Sequence, residues 1–174
     1  MDTRAALKEQ YHAGLRMLAE CVEKCPEDLW HLGEHPRPFW RIAWHTLYFT
    51  HNYLDQTQHE FNASVENWPG AIKSALGVGG EKAAIDVEPY ELPEGATAVS
   101  KPDMLVYLEY IDALVDQTVD GLDLDRQDTG YEWYPGMTKL SHQLMNLRHL
   151  QGHVGQLSEL LMMRGIDTAW VAKA

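Results

Sequence analysis

Cysteine is nearly absent from this 174-residue chain: Cys21 and Cys25 are the only two. They stand four apart near the end of a predicted helix, where neighbouring positions on one cylinder are poorly placed for a bridge. A chain of this length needs no such staple. Reduced thiols in a cytoplasmic protein are the expectation, with a two-cysteine metal site as the minor alternative. Also missing is any apolar run of membrane-spanning length, and the opening MDTRAALKEQ lacks the apolar segment of a signal peptide. Basic residues are scarce, 14 Lys and Arg against 26 Asp and Glu. The resulting net charge of −12 argues against a nucleic-acid partner, which needs a basic surface. No stretch alternates with period two for long enough to predict a sheet, and no internal repeat, low-complexity tract or linker interrupts the chain. What is present is a globular composition, 45% hydrophobic, over a length that suits one domain spanning residues 1–174 with a real core.

Four long segments carry helical periodicity. Over residues 4–24 the apolar positions Leu7, Tyr11, Leu15, Leu18 and Val22 follow three-and-four spacing, and Pro26 ends the pattern. A second helix is predicted from about residue 38, where proline suits a first turn, to about residue 60, with Ile42, His45, Phe49 and Tyr53 on its stripe. A third starts after Ser100, a plausible N-cap, and follows Met104, Leu108, Ile111, Val115 and Leu122. The fourth runs from a cap at Thr138 to about Arg164, with Gly165 as its stop. The expected fold is therefore all-α, a four-helix bundle. Residues 25–37 and 123–137 read as short turns. Residues 61–99 form a much longer connection between helices two and three, of the kind that serves as a lid, a binding loop or a crossover, with a short helix expected in WPGAIKSALG.

The last helix holds an anomaly, NLRHLQGHVGQLSELLMMRG. At about 100° per residue, with His149 at zero, His153 falls near 40°, Gln156 near −20° and the leucine stripe between roughly 80° and 160°. Both imidazoles thus point inward beside the leucines, and side chains at i and i+4 can converge on one ion. Two neutral imidazoles side by side in a core would pay a desolvation penalty that a metal relieves. His45 replaces an apolar residue in the Ile42–Phe49 stripe and is the candidate third ligand. Three nitrogens leave coordination positions open, as in a catalytic site. The other six histidines are weaker candidates. His12 is expected to be solvated, His31 and His35 to lie in a turn, His51 to face another way, and His59 to sit near a helix end. His142 lies about 10 Å along the axis from His149.

The strings WHTLYFTHNYL around His45 and HLQGHVGQL, with its H-x3-H-x2-Q pattern, resemble the DinB-like (DinB/YfiT-like) metalloenzyme superfamily. The resemblance covers essentially the whole chain, with no departure at the three ligand positions. It implies a DinB-type four-helix bundle in which His45, His149 and His153 bind a divalent ion, commonly zinc or nickel. Homodimers are frequent in the superfamily, so a homodimer is expected. Its members include thiol S-transferases that use a low-molecular-weight thiol cosubstrate, a mycothiol-dependent isomerase, and many proteins without an assigned activity.

A divalent ion on three neutral imidazoles keeps its full charge, so a thiol reaching its open position would ionise near neutral pH and attack a small electrophilic substrate. Water in the same position would give a hydrolase, and a non-catalytic metal- or ligand-binding bundle is the third reading. Gln156 is the candidate for orienting a histidine or a bound ligand. No general base is readable. Trp44 and Tyr48 flank His45, and the GYEWYPGM turn before helix four is a candidate for shaping a site, although most of the aromatics are expected to be core.

Overall fold

A computed structural model of the chain describes residues 2–33, 38–75 and 98–174. Those residues contain helices and turns and no strand, so the expected all-α class is what the structure shows. Helix α1 (Thr3–Lys24) starts at Asp2, whose carboxylate accepts the Ala5 N–H, and ends just ahead of Pro26. The single turn α2 (Glu27–Trp30) follows, and its Trp30 indole donates to the Val99 carbonyl. Then come α3 (Phe39–Leu54), α4 (Gln58–Ser64), a 3-10 turn over Val65–Asn67 and α5 (Gly70–Ala75). Helix α6 (Lys101–Gly121) is capped by Ser100, and α7 (Lys139–Met162) by Thr138, both as the sequence predicts. Past α7, Gly165 takes a positive φ of 73° and the Ile166 N–H returns to the Leu161 carbonyl, closing the C-terminal turn.

One expectation needs correction. The second helix does not continue to residue 60: Asp55 leaves the helical conformation, and Thr57 starts α4 by accepting the Glu60 N–H. Thr57 and Glu60 have the spacing of a capping box, a local start signal stronger than the stripe that seemed to run through it. The long connection does hold the short helix expected in WPGAIKSALG. Its first part holds α4, the 3-10 turn and α5, the last within the WPGAIKSALG piece; residues 76–97 lie outside the described residues.

The four long helices enclose one core. α1 and α3 each pack on both α6 and α7, which places α1 and α3 across a diagonal. Side-chain bonds give the directions. Arg4 reaches the Leu122 carbonyl and Lys101 the Cys25 carbonyl, so α1 and α6 are antiparallel. Tyr11 meets Gln143 while Cys21 meets Ser158, so α1 and α7 are parallel. Gln143 bonds the Tyr53 carbonyl while His149 meets His45, so α3 and α7 are antiparallel. Hence α3 and α6 run parallel, and the chain between them must travel back along the whole of α3, about 24 Å. The length of that connection follows from this geometry.

α1 and α7 approach closely at Gly14, where an added Cβ would fall 2.7 Å from the Leu150 side chain. Their shared groove is covered by the C-terminal tail, held by Lys24 on the Asp167 carbonyl, by Glu20 on the Ala169 N–H and by Gln10 on the Ala172 carbonyl. Cys21 and Cys25 are both buried and both free, as expected. Burial pushes both thiols up, Cys25 to about 12, so neither is a thiolate at neutral pH. No described helix is long and apolar enough to cross a membrane.

Candidate metal centre

The antiparallel contact between α3 and α7 brings the N-terminal half of one against the C-terminal half of the other. His45 of α3 meets His149 and His153 of α7 there. Candidate ligand atoms of the three all lie within 4.8 Å of one another, the only such convergence of three or more His, Cys, Asp or Glu among the described residues. The His45 and His149 Nε2 atoms are 2.9 Å apart. Ring centroids are separated by 5.0 Å for His45–His149, 4.7 Å for His45–His153 and 4.5 Å for His149–His153. A tetrahedral ion with metal–nitrogen bonds of about 2.1 Å holds its nitrogens about 3.4 Å apart. The observed spacings bracket that value, so small side-chain rotations suffice to place three nitrogens around one ion. The set contains no carboxylate or thiol.

The site is a rim rather than a closed interior. Leu150, Val154, Leu157 and Leu161 take the buried stripe of α7, and His45 is buried at 6% exposure, while His149 and His153 are only half-buried at the edge. Sequence reasoning placed both imidazoles on the inward side; the structure places them at its border, where a ligand can reach them. Phe49, one turn beyond His45, packs edge-on against both His45 and His149 and shields that flank from water.

The electrostatics suit ligation. Burial, reinforced by the neighbouring His153, lowers the His149 pKa to about 4, so at neutral pH the ring is uncharged and keeps one lone-pair nitrogen able to bind an ion. The His149 Nδ1 is buried and has no hydrogen-bond partner among the described residues. At His153 the Nδ1 lies 2.7 Å from the Gln156 Oε1. An amide oxygen only accepts, so Nδ1 carries the proton and Nε2 is left as the lone-pair nitrogen. The role expected of Gln156, orienting a histidine, is the contact it makes.

No family model, no curated protein and no solved structure matches the chain. The site therefore stands on its own chemistry.

The other histidines separate from this centre. His12, expected to be solvated, is instead paired with Asp112 at 2.7 Å and Asp116 at 3.4 Å across the α1–α6 interface. His51 is buried, meets the Tyr107 hydroxyl at 2.9 Å and is enclosed by Phe61, Trp68 and Tyr110; burial lowers its pKa to about 3. His31 and His59 are exposed, and His35 lies outside the described residues. Trp44 turns from the site to stack on Tyr107.

Sequence reasoning missed a second polar cluster, at the opposite end of α7. Lys139 is fully buried, and its ammonium donates to the carbonyls of Asp55, Gln56 and Thr129 at 2.5, 3.0 and 3.3 Å, with the His142 Nδ1 at 3.5 Å. It caps the end of α3 and ties down the loop before α7. Tyr53, Tyr131 and Tyr134 pack around His142. The GYEWYPGM turn thus builds this end and not the three-histidine rim. Gly130 within it has φ of 79° and lies so near the Gln56 carbonyl that a Cβ would fall 2.4 Å from that oxygen. The signal that would have found the cluster is the run Lys139, His142, Gln143, Asn146, polar residues at three-and-four spacing in register with the later leucine stripe.

Proposed function

We propose that this protein is a metal-dependent enzyme of the DinB-like four-helix-bundle type, with His45, His149 and His153 holding one divalent ion, and that it transfers a low-molecular-weight thiol to a small electrophile. The observation that carries the reading is the convergence of three imidazoles, from two separate helices, at a half-open rim, with no acidic residue in the ligand set. The parallel α3 and α6 with their long crossover, together with the motif resemblance around His45 and HLQGHVGQL, support the bundle type.

When bound, the ion would supply a Lewis-acid centre that favours the ionised form of a thiol at an open position. The chain's own residues prepare for that. Burial keeps His149 neutral, Gln156 fixes the His153 tautomer, and Phe49 keeps water from one flank. A structural ion would ask for four closed ligands, whereas this set offers three and a reachable face.

The test begins with metal analysis of the purified chain, where one ion per chain is expected, and none in a His45→Ala, His149→Ala double variant. Metal-loaded and His45→Ala proteins are then compared for thiol conjugation to electrophile panels. Equal conjugation by both removes the metal from the chemistry. Hydrolysis of the electrophile without thiol incorporation overturns the transferase assignment and leaves the metal site standing.

A further inference from the structure

Beside the three histidines lies an open groove of about 540 Å³, lined among the described residues by Ile42 of α3 and by Gly155, Gln156, Glu159 and Leu160 of α7. That volume falls in the range of small-molecule sites. The groove joins the histidine rim through a shared side chain, because Gln156 lines it while its Oε1 accepts a hydrogen bond from the His153 Nδ1–H. None of His45, His149 and His153 lines the groove; Gln156 is the side chain common to both, and Ile42 stands one turn before His45 on α3.

Its lining is specific in charge. Ile42 and Leu160 give it apolar walls, Gln156 a neutral polar group, and Glu159 the only ionisable group. Glu159 is exposed and has no ion-pair partner among the described residues. Gly155 is also unexplained by packing. It sits in the middle of α7, where glycine weakens a helix relative to alanine, yet an added Cβ would meet nothing within 4 Å.

We infer that this groove seats the non-reacting part of the substrate thiol and that Glu159 makes it select cationic or neutral thiols over anionic ones. The inference rests on the metal-dependent reading above and adds the charge class of the ligand. A cation a few ångströms from an exposed carboxylate gains a few-fold in affinity at low salt, and an anion loses a similar factor. The net charge of −12 acts in the same direction.

The experiment loads the full chain with cobalt(II) and follows sulfur-to-cobalt charge-transfer absorption as thiols are added at low salt. The probes are thiocholine, its uncharged tert-butyl isostere and mercaptobutyrate. Wild type is expected to bind them in that order of decreasing affinity. Glu159→Gln should shrink the thiocholine-to-mercaptobutyrate ratio about fivefold, and Glu159→Lys should invert the order; both changes are at an exposed position and leave cobalt uptake intact. If cobalt loads through the histidines but the ratio is the same in all three proteins, or no thiol binds, the charge-selection inference is wrong. If cobalt does not load, or loads equally well in the His45→Ala, His149→Ala variant, the metal reading fails and this inference falls with it.

Discussion

In the N-terminal half of α7, Lys139, His142, Gln143 and Asn146 face inward. In its C-terminal half Leu150, Val154, Leu157 and Leu161 continue the same stripe, with His149 and His153 at its border. Both halves bring polar groups against α3, but they meet different partners. Lys139, Gln143 and Asn146 donate to the carbonyls of Asp55, Gln56, Tyr53 and Thr50, in and just beyond the last turn of α3. Those donors are bonded to backbone carbonyls of the chain and fix the end of one helix on the start of another, while the His142 Nε2 and Asn146 Oδ1 beside them have no hydrogen-bond partner among the described residues. At the other half, imidazole nitrogens face each other, and among the described residues the converging group consists of histidines alone. Polar side chains that bond backbone carbonyls hold one helix on another; three ring nitrogens converging on one point are placed to share a ligand.

Acid should break the first kind of site most severely. His51 and His142 are held neutral by burial, each with its pKa lowered to about 3. Between that value and the ordinary histidine pKa the unfolded chain binds more protons than the folded one. Their contribution is therefore complete above about pH 6.5 and is lost as pH falls. By pH 5 the loss is about 2 kcal/mol for each histidine. Asp55, raised to about 6 by burial, runs the opposite way: its contribution is present below the ordinary carboxylate pKa and disappears as pH rises toward 6, so it offsets part of the loss. Urea unfolding at pH 7 and pH 5 measures the net fall; equal midpoints would contradict the buried, neutral histidines.

Removing the clamp should come next in size. Lys139→Met keeps the aliphatic bulk but leaves the Asp55, Gln56 and Thr129 carbonyls without their shared donor, a loss of roughly 3 kcal/mol. Metal affinity at the distant rim should not change, and calorimetric titration with zinc would show it. His153→Ala is the mirror experiment. It should weaken zinc binding at least a hundredfold, about 2.7 kcal/mol, because a lost ligand outweighs the loss of a supporting contact. Metal-free stability should move by less than about 1 kcal/mol, since the ring is half-exposed. A large fall in metal-free stability with unchanged zinc affinity would erase the contrast between the two ends. Smallest is Gln156→Ala, which should lower zinc affinity about tenfold through the freed His153 ring, with Gln156→Asn recovering little because the shorter side chain does not reach.

The amino-acid order alone determined the four long helices, both serine and threonine caps on α6 and α7, the Gly165 stop, and the three residues His45, His149 and His153. Each is a local pattern: periodicity, a capping side chain, or an i, i+4 pair on one face. The early end of α3 was also written locally, in Thr57 and Glu60, but the apolar stripe outweighed it. Only the tertiary structure decided that α3 and α6 run parallel, that the two histidines of α7 sit at the rim of the core, and that Lys139 is buried as a clamp on α3. Those outcomes depend on which helix face meets which, a choice made by packing between residues about a hundred positions apart, and no periodicity within one segment encodes it.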